Sequence, residues 1–385
     1  MTEPATEPGV RVSTLELFFD LVFVFTITQL TAVLAGNLTW EWAGRTLLLM
    51  LIIWWMYDGF AWMTNTVAPT DPVRRALLLA GMGGFLLIAL SLPKVFTDDG
   101  WAFGVGYFVV NLIHSGLLLR AAPAAMRQLA PLNLLSATLV LAGGFATGPW
   151  RLGLWIAAAV VMTVSPYLHP LSEWAINSAH FVERHGLIVI IALGESIVAI
   201  GVGASGLALT KTLVEVALLG LVLSFLLWWV YFGGDDVRAE HALDATPSLG
   251  RARVALHAFG WAHVPLLYGI IAVAAGVKKA TGHADEHIYL AQALVLGGGV
   301  AVFLLGDVIF RAILRLGMIR YRFMAAVAAL ATIPLGVAFS AILQLLGLVL
   351  VMTALLVVEW VLATHGPGRE APLGRRPVPD GSSGR

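Results

Sequence analysis

Two carboxylates stand four residues apart in the first apolar stretch of the chain, Glu16 and Asp20 within Leu15-Glu16-Leu17-Phe18-Phe19-Asp20-Leu21. At helical spacing they share a face. Two acids on one face of an apolar helix call for a proton, a cation or an arginine opposite, because each disfavours the other's charge. A second set lies in His180-Phe181-Val182-Glu183-Arg184-His185-Gly186, followed by Leu193-Gly194-Glu195-Ser196. His180 and Arg184 share a face, and Glu195 lies about 20° from the same face at 100° per residue. Arg184 and Glu195 are about 16 Å apart along the axis, so they line one wall rather than touch. Asp58, Asn111, His114, His257, His263, Asp307 and Glu359 complete the polar groups inside apolar stretches. A charge at the bilayer centre costs about 2.5–3.5 kcal/mol on insertion scales, which makes each a functional candidate.

These residues carry unequal weight. Asp20 either takes part in ion or proton binding or pairs with Arg184 or Arg253 to hold the bundle. Glu16 reads first as an interfacial residue. Glu195, beside Gly194 where a neighbouring backbone can approach closely, is the leading candidate. His257 and His263 are six apart and fall on different faces, the wrong spacing for two ligands of one metal. Asp307 and Arg311 form an i, i+4 ion pair, and Glu359 can reach the interface. No phosphate loop, nucleophile elbow or zinc-protease motif is present, so neither an enzyme nor a cofactor is expected.

The elements that position these groups follow from composition. The chain has 385 residues, 59% hydrophobic and 12% charged, against about 25% charged in soluble domains. Its mean hydropathy is +0.87. This excludes a soluble enzyme, a disordered scaffold and a secreted disulfide module. With 0 cysteines, disulfide, iron–sulfur and thiolate-zinc chemistry are excluded too. Lys plus Arg (23) equals Asp plus Glu (23), so nothing points to nucleic acid. The fold class is all-α, a polytopic integral membrane protein whose partner is the bilayer.

A span needs about 20 mostly apolar residues. Twelve windows qualify: 15–36, 43–65, 75–96, 101–120, 129–147, 150–168, 186–205, 212–233, 254–277, 288–310, 322–338 and 341–363, with a tight turn near Pro334 and Ser340 dividing the last two. Of 23 basic residues, Arg45, Lys94, Arg151, Lys211, Lys278 and Lys279 fall on one side of this topology and the rest on the other. The positive-inside rule then puts both termini in the cytoplasm. Residues 1–13 and 366–385, rich in Gly, Pro and Ser, read as disordered tails. Glu3 and Glu7 oppose a single Arg11, unlike a signal peptide, so the first helix is expected to stay attached.

The chain also echoes itself. Trp54-Trp55-Met56-Tyr57 in the second span matches Trp228-Trp229-Val230-Tyr231 in the eighth, Asp20 matches Glu195, and Arg120 matches Arg311. Two parallel repeats of six spans, 14–170 and 171–365, would account for this, with a substrate path between them. The intramembrane polar groups cluster toward the cytoplasmic half, as a water-accessible cavity opening inward would require.

The Leu15–Phe25 block and the His180–Gly186 and Leu193–Ser196 blocks together resemble the bacterial low temperature requirement A (LtrA) family, a likeness covering about residues 11–365. The matching polar positions are Glu16, Asp20, His180, Glu183, Arg184 and Glu195. The resemblance implies a bacterial inner-membrane location and names a cold-growth phenotype rather than a reaction. The expected function is proton-coupled secondary transport of a small solute. Asp20 and Glu195 would carry the coupling, tuned by Arg184 and His263, with His180, Glu16, Glu183 and Asp58 as further candidates. An ion channel and a membrane-embedded enzyme acting on lipid are the alternatives.

Overall fold

The computed structural model describes residues 12–66, 71–121, 123–168, 176–282 and 288–365. They form helices with no strand among them: α1 (Thr14–Gly36), α2 (Trp40–Thr66), α3 (Pro72–Ser91), α4 (Gly100–Ala121), α5 (Pro123–Phe145), α6 (Pro149–Val164), α7 (Ser178–Ala204), α8 (Lys211–Phe232), α9 (Asp235–Asp244), α10 (Ser248–Ala255), α11 (His263–Gly282), α12 (Leu290–Leu314), α13 (Ile319–Ala331), α14 (Ile333–Ala338) and α15 (Ala341–His365). Apart from Val12 and Ser13, the predicted tails lie outside the described residues.

Local sequence sets the helix starts. Ser13 and Glu16 form a reciprocal capping box on α1: the Ser13 hydroxyl accepts from Glu16 N–H, and Glu16 Oε2 accepts from Ser13 N–H at 2.8 Å. Asp71 caps α3 ahead of Pro72, Asn177 caps α7 and Thr210 caps α8.

Among the described residues 11 helices are long and apolar enough to cross a membrane. The sequence count of twelve differs at one element. The sixth window yields α6, only 16 residues long, prolonged by a 3₁₀ turn over Ser165–Tyr167. Pro166 lies in that turn, where its missing N–H breaks the α-helical ladder. The turn expected near Ser340 is present: α15 begins at Ala341, and the Ser340 hydroxyl accepts from Leu343 N–H at 3.3 Å.

The ninth window also differs from a plain helix. α10 runs into α11 through a π-helical segment, Leu256–Trp261. Widening the turn shifts backbone carbonyls out of register, and buried side chains fill the gap. His263 Nδ1 donates to Ala258 O at 3.0 Å, and Trp54 Nε1 donates to Gly260 O at 2.7 Å.

Helix neighbours follow a repeated order. α1 packs on α3 as α7 packs on α11, and α2 on α6 as α8 on α15. α3, α4 and α5 are consecutive neighbours, as are α11, α12 and α13, and α1 packs on α7 between the two groups. Glycines permit the closest approaches. A Cβ on Gly269 of α11 would stand 2.7 Å from Gly299 O of α12, and one on Gly106 of α4 would stand 2.8 Å from Gly84 O of α3. Large apolar side chains such as Phe18, Leu21, Leu86, Phe225 and Leu350 face outward, as a lipid-facing surface requires.

Candidate functional site

α1 and α7 lie side by side, and their polar residues meet in rungs. At the first rung Glu16 Oε1 is 3.2 Å from His180 Nε2, outside hydrogen-bond alignment. Asn65 Nδ2 lies 3.4 Å from His180 Nδ1, so the amide donates to Nδ1 and the ring carries its hydrogen on Nε2, toward Glu16. At the second rung Arg184 Nη1 donates to Asp20 Oδ2 at 2.9 Å, and the Tyr57 hydroxyl donates to Oδ1 at 2.9 Å. At the third, Thr28 Oγ1 and Glu195 Oε2 are 2.5 Å apart. The separations in sequence are 164 for Asp20–Arg184 and 167 for Thr28–Glu195. A nearly constant offset means the two helices run parallel. From Glu16 to Thr28 the seam extends about 18 Å along the axis.

Available protons constrain the contacts at two places. Thr28 Oγ1 also lies 3.2 Å from Val24 O, and a hydroxyl has a single proton to give. With Glu195 ionised, one of those two contacts goes unmade. With Glu195 protonated, the carboxyl donates to Oγ1 and Oγ1 donates to Val24 O.

The second place joins α2 to α7. His185 Nδ1 is 2.8 Å from Phe181 O, and Nε2 is 3.0 Å from Asp58 Oδ1. Nδ1 must donate to the carbonyl, so a hydrogen between Nε2 and the carboxylate has to be an additional one. Asp58 and His185 therefore share a proton, as imidazolium with carboxylate or as imidazole with carboxylic acid. The His185 ring also lies 5.4 Å from that of His263. His263 Nε2 in turn accepts from the Tyr231 hydroxyl at 2.8 Å, its Nδ1 hydrogen being committed to Ala258 O.

The sequence-predicted residues thus separate. Glu16, Asp20, His180, Arg184 and Glu195 gather on the α1/α7 seam, and Asp20 takes Arg184 rather than Arg253. Asp58 and His263 lie beside it, linked through His185. His263 touches His185 and Tyr231 rather than Asp20 or Glu195. Glu183 points away, exposed, its Oε2 accepting from Val12 N–H at 3.3 Å. The acids expected around an inward-opening cavity are packed in: Asp20 and Arg184 are buried, and Glu195 is 4% exposed. A cavity of about 80 Å³ lies instead beside Asp58, lined by Trp55, Trp62, His114 and Asn133. Among the described residues, no three of His, Asp and Glu gather as a metal site.

The Asp307–Arg311 pair expected from spacing is present and belongs to a larger ionic cluster. Asp307 and Arg311 are 3.8 Å apart, but Arg311 bonds mainly to Asp235 of α9, at 2.8 and 2.9 Å. Asp307 accepts from Arg322 at 2.7 Å. Arg322 also holds Glu359 bidentately, at 2.8 and 3.0 Å, and donates to Val230 O at 2.9 Å. Glu359 is therefore tied into the bundle rather than reaching for the interface. Tyr57, Tyr231, His185 and Thr28 were not singled out from sequence. A signal existed for the first two, which end the two matching Trp-Trp-x-Tyr blocks; each supplies a buried hydroxyl, to Asp20 and to His263.

Residues 11–357 match the family model of the bacterial low temperature requirement A protein (LtrA). The chain belongs to the LtrA family. A similar protein of this kind is the uncharacterized protein RA0937 of Rhizobium meliloti (strain 1021). It is 30% identical over 308 residues, covering 76% of this chain and 75% of the relative. The LtrA match takes in every residue of the α1/α7 seam and of the Asp58–His185 pair.

Proposed function

We propose that this LtrA protein is a proton-coupled secondary transporter of a small solute in the bacterial inner membrane, with α6 as a twelfth, shorter crossing and both termini in the cytoplasm. The observation that carries the reading is the α1/α7 seam, three polar rungs between two groups of helices with the same neighbour order. Parallel repeats that rock against each other about a central polar interface are a recurrent transporter design. A seam held by hydrogen bonds and ion pairs can part and re-form, where an interdigitated apolar core cannot. Asp20–Arg184 acts as the charge-neutral lock of the closed state. Glu195 gains or loses its proton as the Thr28 contact closes or opens, and the Asp58–His185 pair offers a second exchangeable proton.

The test is flux in proteoliposomes enclosing a pH-sensitive dye, with an imposed proton gradient and a pool of small solutes from cell extract. Proton movement is expected only with extract, and is expected to vanish in Glu195→Gln while the protein stays folded. Ion leak without extract favours a channel, and unchanged movement in Glu195→Gln removes that residue from the coupling role. No movement under either condition turns attention to lipid chemistry, read by mass spectrometry of membranes from expressing cells.

A further inference from the structure

The cavity beside Asp58 sits within the first group of helices. It lies among α2, α4, α5 and the 3₁₀ turn after α6, with Leu256 of the π segment closing one side. The corresponding space in the second half, among α8, α12, α13 and α15, is filled by Asp307, Arg322 and Glu359, with Arg322 bonded to Val230 O of α8. One half is pinned shut by charge. The other keeps room.

The chemistry of the room is one-sided. His114 Nε2 lies 3.0 Å from Gly59 O, so the ring donates there and leaves Nδ1 as a bare acceptor. His114 is 5% exposed, and Nδ1 has no partner among the described residues. Asp58 meets His185 through Oδ1, while Oδ2 has no hydrogen bond among the described residues. Asn133 adds an amide, and Trp55 and Trp62 supply aromatic faces. Two acceptors without donors, one of them a carboxylate, beside indole faces, disfavour an anion and favour a cationic donor. A buried water needs roughly 10–15 Å³ of such space. A cavity of about 80 Å³ therefore suits a molecule of on the order of six to eight non-hydrogen atoms.

We propose that this cavity binds a small apolar amine, its ammonium seated between Asp58 and His114 in exchange for the proton that Asp58 shares with His185. The exchange balances: the ammonium brings one positive charge, the imidazolium proton of His185 leaves to water, and the Asp58 carboxylate turns its charge to the ligand. The other ionisable groups around Asp58 are His114 on α4, Arg184 on α7, His263 on α11, Asp20 on α1 and Tyr57 on its own helix. Of these, Asp20 and Arg184 neutralise each other. His263 is held neutral between Ala258 O and the Tyr231 hydroxyl. His185, in direct contact with Asp58, is the group left to respond.

This inference deepens the transporter reading by naming its substrate class, and its test needs no gradient. Purified full-length protein in detergent is titrated calorimetrically at pH 7 with benzylamine, in two buffers of different ionisation heat. The expected result is saturable binding with about one proton released per amine. Benzyl alcohol should release none, and benzoate should not bind. Leu129→Trp, which fills the cavity and leaves Asp58 and His185 in place, should weaken benzylamine at least tenfold, as should Asp58→Asn. Absence of saturable binding, binding without proton release, or equal affinity in Leu129→Trp overturns the proposal. Solute-dependent proton flux with no benzylamine binding would leave the transporter standing and sink the amine site; binding without any flux would do the reverse.

Discussion

Replacing Asp20 with Asn leaves the Arg184 guanidinium buried beside a neutral amide. Removing one partner of a buried pair typically costs about 3–5 kcal/mol, because the remaining charge has nowhere to go. Asp20→Asn should therefore lower the thermal unfolding midpoint in detergent sharply. Adding Arg184→Gln should restore part of it, since the unpaired guanidinium is gone while the buried Glu16 carboxylate remains. A double variant as unstable as the single one would mean that the Tyr57 contact, rather than the ion pair, holds the seam. At this scale the sequence was partly legible. Four-residue spacing placed Glu16 with Asp20 and His180 with Arg184 on single faces, and an arginine opposite Asp20 followed from charge. The partners on other helices were hidden because spacing says nothing about what faces a residue. Arg311 is the clearest instance: Asp307 one turn away looked sufficient, while Asp235 on α9 supplies the two shorter bonds.

Among the elements, the π segment is the one that hydropathy could not reveal, since one extra residue in a turn leaves composition unchanged. Its shifted carbonyls depend on side chains for partners. Trp54→Phe keeps an aromatic ring in place but withdraws the donor to Gly260 O. An unsatisfied buried acceptor costs about 1–3 kcal/mol, so the variant should melt several degrees lower. A melting point equal to that of the wild type would show that Gly260 O has found another donor. Long apolar runs located most spans well, because hydrophobic length is the dominant constraint in a bilayer. The window that fell short is α6, whose 16 α-helical residues include Arg151 and end at a 3₁₀ turn.

At the scale of the whole molecule, the composition fixed the class and the loop charges proposed an orientation. With 0 cysteines the chain offers a clean background for labelling. Thr97→Cys, between α3 and α4, should react with a membrane-impermeant maleimide on intact cells with the outer membrane permeabilised. Thr246→Cys, between α9 and α10, should react only after the inner membrane is opened. The reverse pattern would invert the topology and place both termini outside. The paired Trp-Trp-x-Tyr blocks prompted the expectation of two repeats, whereas neither the cavity beside Asp58 nor the ionic cluster around Arg322 left a trace in the spacing. A cavity beside Asp58 and an ionic cluster around Arg322 are the features that differ.

That ionic cluster also bears on how the polypeptide is made. Arg322 enters the translocon in α13, soon after Asp307 in α12, while Glu359, which binds it bidentately, is still being synthesised. Until the last helix arrives, the nascent chain holds an arginine with only part of its complement of acids. Completion of α15 would thus be a checkpoint for assembly. A chain ending at Ser340 should be cleared by quality-control proteases, and Arg322→Leu should lengthen the lifetime of that fragment in pulse-chase measurements. Equal turnover of the two fragments would show that the late acid plays no part in folding the chain into the membrane.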